Sequence, residues 1–179
     1  MVMDLSEFGN WKAIEGYDYR ISDKGFLLNN KTMKMTRGSA NALGYQQVGM
    51  TCDKVRKTFL VHIIIANAFM DNPNGYDRVD HIDHNKSNND IDNLRWCSQS
   101  QNCMNMSKQS NTTSTYKGVS WNKHAKKWHA YIMINYKRKH IGLFECEVQA
   151  AVAYNNAAIQ LFEEFACLNI IPVENVIDM

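Results

Sequence analysis

Residues 79–102 combine short apolar stretches with a long run of turn-forming residues, which leaves few ways for this part of the chain to fold. Residues 79–83 and 94–97 each have the length and apolar content of a short strand. Between them, residues 84–92 are dense in Asn, Asp and Ser, whose side chains hydrogen bond to nearby backbone and favour turns. The pattern predicts a strand, a long turn and a returning strand.

A helix is expected directly after the second strand. Ser98 followed by Gln101 is a capping-box pattern, in which the two side chains pair with N–H groups at the start of a helix. Asn102 would lie in the first turns of this helix and return towards Asp80 and His81 when the hairpin packs on it. Adjacent residues of a regular strand point to opposite faces, so Asp80 and His81 can share a site only where the strand ends or bulges.

Asp80, His81 and Asn102 are residue types that suit the hydrolysis of a phosphodiester. This reaction needs a base for the attacking water and a cation for the charge that develops on the phosphate and the leaving oxygen. A histidine supplies the base, and a carboxylate with an amide oxygen suits Mg²⁺, which prefers oxygen ligands and keeps several waters. Because Asp, Asn and His also crowd ordinary turns, an isolated Asp-His pair would not indicate such a site.

The longer pattern is more specific. It consists of Asp80-His81, Asn88-Asn89, Asn93-Leu94-Arg95-Trp96 and Asn102. It resembles the HNH nuclease family, in the branch found in phage and intron homing endonucleases. The resemblance implies two strands and a helix around one divalent cation, Mg²⁺ or Mn²⁺. It also implies that His81 is the general base, that Asp80 and Asn102 bind the metal, and that Asn93 braces the long turn. Where many relatives carry a third histidine, Asn102 keeps an oxygen donor, which favours these metals over softer ones.

Other polar residues near this segment have simpler interpretations. Asp83, His84 and Asp90 are expected to serve the turn, with a role as secondary acid or phosphate contact left open for His84. His62 begins the apolar run of residues 62–66, where a packed or helix-starting histidine is the better interpretation. We therefore exclude His62 from the predicted site.

Composition and charge describe a soluble globular protein that carries one basic region. Of the 179 residues, 45% are hydrophobic and 21% are charged. The net charge of +2 is unevenly distributed, because residues 107–144 contain eight Lys and Arg and no Asp or Glu. Aromatic and histidine side chains are interleaved with this charge, as expected of a surface that follows a phosphate backbone. A merely solvated basic face is the alternative.

Cysteine usage and hydropathy indicate where the protein acts. The five cysteines form no Cys-x-x-Cys pair, so neither a zinc knuckle nor a disulfide framework is expected, and a reducing compartment fits. No apolar segment of signal-peptide length occurs near the N-terminus, and the most apolar run, residues 61–66, is too short to cross a bilayer. We expect a soluble, intracellular protein, and the resemblance implies that a phage or another mobile element encodes it.

A second module is predicted after a linker. Residues 107–116 are almost entirely polar, which is typical of a flexible connection. Residues 118–122, 128–135 and 139–144 then alternate like three strands, and residues 147–165 change to helical spacing.

The predicted sheet should have one open face. Because side chains alternate along a strand, a helix that covers Ala130 and Ile132 sends Tyr131 and Met133 to the opposite face. An open, basic, three-stranded sheet can lie in the major groove of DNA, which admits a β-ribbon.

Strand glycines and a helix rich in alanine mark residues 117–169. The residues concerned are Gly118-Val119, Lys127-Trp128, Ile132, Gly142, Phe144, Ala150-Ala151, Ala153-Tyr154, Ala157-Ala158, Phe165-Ala166 and Leu168-Asn169. This combination resembles the ethylene-response-factor type of DNA-binding domain, which is known from plant transcription factors and is also fused to homing nucleases. The resemblance implies that DNA contacts fall on Lys117, Ser120, Asn122, Tyr131, Met133, Arg138 and His140. Lys117 and Arg138 are the strongest of these candidates. Several of these positions are arginine, glutamate or tryptophan in plant members, so the target sequence is not inherited. Contacts to phosphate, which position a protein without reading bases, are expected from Lys123, Lys126, Lys127, Lys137 and Lys139.

The N-terminal part has a weaker signal. Residues 11–25 alternate weakly and end in a turn signal, as in a small antiparallel sheet, and resemble the module often found ahead of homing-type HNH sites. Residues 44–48 and 58–61 are expected to add strands, and residues 62–69 a short helix.

The sequence thus predicts an α+β protein. Residues 1–106 are predicted to contain an N-terminal small antiparallel sheet and an HNH unit with its core at 78–106. Residues 117–169 are predicted to form a three-stranded antiparallel sheet packed on one helix, and residues 170–179 a tail. The predicted function is site-specific cleavage of double-stranded DNA, one strand per active site, by a monomer or weak dimer that needs no membrane or protein partner. A non-catalytic DNA-binding regulator on an HNH scaffold is the alternative, and RNA processing is a weaker one.

Overall fold

Short antiparallel strands, three α-helices and three single-turn 3₁₀-helices (Ser6–Phe8, Ile91–Asn93 and Glu163–Phe165) make up the regular structure of residues 4–106, 113–134 and 137–172, which the computed structural model describes. The chain divides into two units, Met1–Gln99 and Ser100–Met179. Each has its own buried apolar cluster or clusters. None of the helices in the described ranges is long and apolar enough to cross a membrane.

The first unit contains two small sheets, a helix and a hairpin. One sheet is formed, in this order, by β1 (Trp11–Ala13), β2 (Tyr19–Ser22), β3 (Leu27–Asn29) and β4 (Met35–Thr36). The other is formed by β5 (Ser39–Ala40), β6 (Gln46–Cys52) and β7 (Val55–Leu60). Helix α1 (Val61–Phe69) follows, and then the antiparallel pair β8 (Arg78–His81) and β9 (Leu94–Cys97).

The β6–β7 hairpin extends further than the sequence predicts. Residues 44–48 and 58–61 were expected as strands, whereas the strands run to Cys52 and start again at Val55. Asp53 and Lys54 form the two-residue turn with φ of +49° and +65°. Such turns usually contain Asn-Gly or Asp-Gly, so Asp-Lys gives no turn signal in the sequence.

Helix α1 lies at the centre of the first unit. Its residues Val61, Ile64, Ile65 and Ala66 are at most 8% exposed and share one core with residues of both sheets and of the hairpin. From the sheets come Ile21, Leu27, Val48 and Met50, and from the hairpin come Val79 and Leu94. The apolar run therefore fixes the hairpin on which the predicted site depends.

The second unit contains the three-stranded sheet and the helix that the sequence predicts. Helix α2 (Gln99–Met104) begins at the last residue of the first unit. The sheet consists of β10 (Val119–Asn122), β11 (Lys127–Ile134) and β12 (Lys137–Phe144), and α3 (Glu147–Phe162) packs on it. The three strands and this helix are confirmed, with ends shifted by at most three residues.

Small side chains bring α3 close to the sheet. The buried stripe consists of Ala150, Ala151, Tyr154, Ala158 and Phe162. Ile159 and Leu161, which the helical spacing also assigns to the apolar face, are 51% and 43% exposed. The covered face is therefore narrower than the sequence suggests.

The end of the predicted linker belongs to the second unit. Residues 107–112 lie outside the described residues, but Ser114 is 3% exposed and its Oγ donates to Oε1 of Glu147 at 2.6 Å. The Thr115 N–H donates to the same oxygen at 3.0 Å. These bonds hold residues 113–116 at the start of α3, where the sequence predicted a flexible connection. Of the predicted tail, Ile171 packs on the core of this unit, and residues 173–179 lie outside the described residues.

Gly118→Ala should strongly destabilise the second unit. Gly118 has a φ of +71°, and an added Cβ would overlap the Tyr154 ring and approach the Tyr131 carbonyl oxygen to 2.6 Å. Strain and overpacking together should cost at least about 2 kcal/mol. Gly16, with a φ of +76° and no atom within 4 Å of an added Cβ, is the matched control and should lose only about 1 kcal/mol. Urea unfolding monitored by hydrogen-exchange mass spectrometry assigns each loss to its unit, and equal losses would contradict the role of the Tyr154 contact.

Candidate functional site

Asp80 forms an ion pair with Arg95 across the β8–β9 hairpin. The two residues are direct partners in the antiparallel register. Nε and Nη2 of Arg95 donate to Oδ2 of Asp80 at 3.1 and 2.9 Å, and the two side chains are only 14% and 9% exposed. Two charge-assisted hydrogen bonds to one oxygen fix the orientation of the carboxylate. The sequence pattern contains Arg95 but gives no indication of this pairing.

His81 is the last residue of β8 and is 4% exposed. The strand ends there, so one of the two conditions under which Asp80 and His81 can share a site is met. Nε2 of His81 lies 3.0 Å from Oδ1 of the buried Asn89. An amide oxygen only accepts hydrogen bonds, which assigns the proton of the neutral ring to Nε2 and the lone pair to Nδ1. A lone pair on Nδ1 is what a general base requires.

Asn93 joins the two ends of the long turn. Its Oδ1 accepts from the Asp83 N–H at 3.0 Å, and its Nδ2 donates to Oδ1 of Asp83 at 2.9 Å and to the Asn88 carbonyl at 2.8 Å. The Ile82 N–H donates to the Asn93 carbonyl at 2.9 Å. These bonds hold the turn against the point where β8 ends. Any contribution of Asn93 to catalysis through this bracing stays a prediction.

Asp83, His84 and Asp90 have the turn roles that the sequence predicts. Asp83 accepts from the Asn85 N–H at 2.8 Å and from Asn88 Nδ2 at 2.8 Å. Burial opposes the ionisation of Asp83, but hydrogen bonds from Asn88, Asn85 and Asn93 outweigh it, so its pKa lies below the ordinary value. His84 adopts a φ of +63°, and Asp90 accepts from Lys24 Nζ at 2.6 Å.

His62 lies beside His81, a contact that no local pattern in the sequence indicates. It is the second residue of α1 and is 4% exposed. Its ring centroid is 4.9 Å from that of His81, in an edge-to-face arrangement. The centroid of the Tyr45 ring lies 5.1 Å from that of His62 and 6.0 Å from that of His81. Burial, followed by the charge of His81, lowers the pKa of His62 to about 4. The available signal was a polar residue inside an otherwise apolar run, which needs a partner or a function.

The predicted metal ligands are one carboxylate and one amide. Asp80 belongs to the first unit, and Asn102 lies half-buried on α2 in the second. Across the ranges that the structure describes, no group of three or more His, Cys, Asp or Glu side chains is arranged to hold a metal ion. Hard oxygen donors of this kind suit Mg²⁺, which takes one or two carboxylates together with waters and substrate phosphate.

The second sheet has an open face, as the strand pattern predicts. Ala130 and Ile132 are at most 1% exposed, so the alternating Tyr131 and Met133 lie on the other face. Cross-strand partners share that face. They are the pairs Ser120 with His129, Asn122 with Lys127, Tyr131 with His140, and Met133 with Arg138.

Contacts between side chains organise this open face. The Arg138 guanidinium lies 4.6 Å from the centroid of the Tyr131 ring. Nε2 of His129 is 2.8 Å from Nδ1 of His140, and burial and then the charges of His140 and Arg138 lower the pKa of His129. The face therefore presents hydrogen-bonding and cationic groups side by side.

Among the predicted DNA contacts, Lys117 does not present its side chain on the open face of the second sheet. Its Nζ donates to the Met104 carbonyl at 2.7 Å and lies 5.9 Å from the centroid of the Tyr154 ring. Burial lowers its pKa. Tyr154 is in the core between α3 and the sheet, so Lys117 serves packing there and not the open face. The predicted phosphate contacts Lys123, Lys126, Lys137 and Lys139 are exposed, and Lys127 pairs with Glu145 at 2.7 Å.

Acid should weaken the first unit through His62. Its pKa falls from 6.5 to about 4 on folding, so the unfolded chain binds the proton more tightly between these values. Stability that is present above pH 6.5 is then lost as the pH falls towards 4, by about 3 kcal/mol for this group. His62→Phe, which does not titrate, should lose less stability over this interval. Urea unfolding at several pH values tests this, and parallel profiles for the two proteins would contradict it.

Comparison with known proteins connects this site to a family. Residues 59–104 match the model of a family described as HNH endonuclease. An uncharacterized HNH endonuclease of Acanthamoeba polyphaga mimivirus is 35% identical over 85 residues, which cover 48% of this chain and 26% of that protein. The DNA endonuclease I-HmuI of Bacillus phage SP01 is 37% identical over 100 residues, which cover 53% of this chain and 56% of that protein.

A solved structure gives the same result. It concerns DNA binding and cleavage by the HNH homing endonuclease I-HmuI, and it matches with a TM-score of 0.50 and 36% identity over 54% of this chain and 56% of that one. The chain thus spans about half of the phage enzyme and about a quarter of the mimivirus protein. These matches support the HNH part of the resemblance.

Proposed function

We propose that the protein is a metal-dependent, site-specific endonuclease of the HNH homing type that hydrolyses phosphodiester bonds in double-stranded DNA. The observation that carries the proposal is the His81–Asn89 hydrogen bond, which assigns the lone pair to Nδ1 of a histidine adjacent to Asp80. Both residues lie in the segment that is similar to HNH endonucleases.

Each residue of the proposed site has a physical task. His81 takes the proton of the attacking water, Arg95 orients the Asp80 carboxylate, and Asn93 keeps the turn against the end of β8. Asp80 and Asn102 would hold Mg²⁺ or Mn²⁺, which when bound stabilises the charge that develops on the phosphate and the leaving oxygen. One site per chain attacks one strand at a time. Double-strand cleavage would need two copies or two successive cuts.

We further propose that the open face of the second sheet selects the target, as the resemblance to the ethylene-response-factor domain implies. The proposed DNA contacts are Ser120, Asn122, Tyr131, Met133, Arg138 and His140. Proposed phosphate contacts come from Lys123, Lys126, Lys127, Lys137 and Lys139. Lys117 is omitted because its ammonium group is bonded to the Met104 carbonyl.

One observation favours a second candidate function. The Asp80 carboxylate, a proposed metal ligand, is engaged by Arg95 through two hydrogen bonds. If this ion pair persists when DNA is bound, the hairpin serves as a scaffold and the protein is a DNA-binding regulator. That function requires DNA binding that is insensitive to chelators, and no cleavage with any divalent metal.

Cleavage by the wild-type protein and its loss in His81→Ala test the nuclease function. Selection of cut sites from a randomised duplex library gives the target, which is then placed in a supercoiled plasmid. With Mg²⁺, the wild type should convert the plasmid mainly to open circle. His81→Ala, which lacks the base, should lower the rate constant at least about 100-fold, and EDTA should abolish cleavage. Equal background amounts of open circle with both proteins would favour the regulator.

Arg138→Ala should weaken binding of the selected duplex in EDTA. A contact to phosphate or to a base edge is worth about 1–3 kcal/mol, and a lost phosphate contact also reduces the salt slope by about 1. Asn156→Glu is the control, because it changes the net charge by the same amount on an exposed position of α3. Fluorescence anisotropy at several salt concentrations measures both variants. Equal effects of the two would indicate that the overall charge acts and the open face does not.

A further inference from the structure

Core packing alone does not explain why a polar ring, that of His62, occupies this buried position. Nδ1 of His62 is buried and has no hydrogen-bond partner among the residues that the structure describes. Its helix neighbours Val61, Ile64 and Ile65 fill the same core with hydrocarbon. A buried polar atom without a partner costs about 1–3 kcal/mol relative to a satisfied one. A leucine or phenylalanine would fill this space without that cost.

The ring of His62 contacts the proposed base. Its centroid lies 4.9 Å from that of His81, with an angle of 62° between the ring planes. Tyr45 adjoins both rings, and Lys86 Nζ lies 4.6 Å from the Tyr45 centroid. With the hydrogen bond that its Nε2 donates to Asn89, His81 is held at Nε2 and against the rings of His62 and Tyr45.

We propose that His62 is a positioning residue, which together with Tyr45 fixes the orientation of the His81 ring. In this orientation the hydrogen bond to Asn89 keeps the proton on Nε2, and Nδ1 is aligned for the attacking water. This inference rests on the proposed nuclease function. It adds a residue of α1 to the surroundings of the base, which otherwise come from the hairpin and its turn. The helix that forms the core thereby also sets the angle of the base.

The charges around His62 agree with this role. The titratable and charged groups that face it are His81 and Tyr45. Lys86 Nζ lies over the Tyr45 ring, and Asp80, which pairs with Arg95, precedes His81 in the chain. The pKa of His62, lowered to about 4 by burial and then by His81, keeps the ring neutral at the pH of a cell. A neutral polar ring does not repel a proton on its neighbour, whereas a second cation would.

The test separates stability from catalysis. His62→Phe keeps a ring but removes both nitrogens, so its melting temperature should equal or exceed that of the wild type. Its Kd for the selected duplex in EDTA should stay within about twofold, and the single-turnover rate constant should fall at least about tenfold. Ile64→Val on the same helix is the control, with a loss of stability of about 1 kcal/mol and an unchanged rate constant.

Long-range proton–nitrogen NMR correlations supply a readout that does not depend on cleavage. In the wild type they should show His81 protonated at Nε2, and in His62→Phe a mixture of tautomers. If the larger ring prevents folding, His62→Leu provides the same comparison.

The outcomes are distinguishable. A folded His62→Phe or His62→Leu that cuts at the wild-type rate and keeps the wild-type tautomer overturns the positioning role, while loss of cleavage in His81→Ala still upholds the nuclease. If the wild type does not cut, the nuclease function fails and the positioning role fails with it.

Discussion

The burial of α1 is the interaction on which the first unit depends. Val61, Ile64, Ile65 and Ala66 meet side chains from both small sheets and from the β8–β9 hairpin, none of which could form a core alone. The same helix places His62 against His81. Folding and the arrangement of the proposed site therefore share one element, and a change in the position of α1 would alter both.

Two kinds of interaction stabilise the geometry of the hairpin: an ion pair between its strands and side-chain hydrogen bonds in its turn. The Asp80–Arg95 ion pair is largely buried, so desolvation of the two charges offsets much of their attraction, and the two hydrogen bonds to one oxygen orient the carboxylate. The turn is held by amide and carboxylate side chains that bond to backbone, above all by Asn93. The Asp and Asn residues of this segment thus have two kinds of role. Some, such as Asn93, form hydrogen bonds within the turn, and Asp80 is a proposed metal ligand.

Local patterns in the sequence predicted what depends on local structure. The hairpin around the long turn, the three strands of the second unit and α3 follow from alternation, turn formers and helical spacing, and the structure contains them. The spacing of Asp80, His81 and Asn93 likewise identified the segment that matches HNH endonucleases.

Contacts between residues that are distant in the sequence could not be predicted from such local patterns. His62 was excluded because its neighbours are apolar, and only tertiary packing brings it to His81, 19 positions later in the sequence. Lys117 looked like a surface cation, but its long side chain passes into the core to reach the Met104 carbonyl. The Asp53-Lys54 turn lacks the usual glycine, so no turn signal is present in the sequence. Both residues nevertheless adopt positive φ, in the turn that joins the paired strands β6 and β7.

The bulge in β12 has a consequence for how this protein can change over time. The register shifts between Ala130 and Tyr131, so Ile141 has no single partner on β11 and packs with the core under α3. Residues two positions apart on a regular strand share a face, but the extra residue lets Gly142 face α3 with Ala130 while His140 lies on the open face with Tyr131. The bulge therefore decides which side chains of β12 reach the open face, whereas Arg138 and His140, which are exposed, can be replaced without repacking the interior. Point substitutions can therefore alter the open face while the scaffold beneath it stays the same.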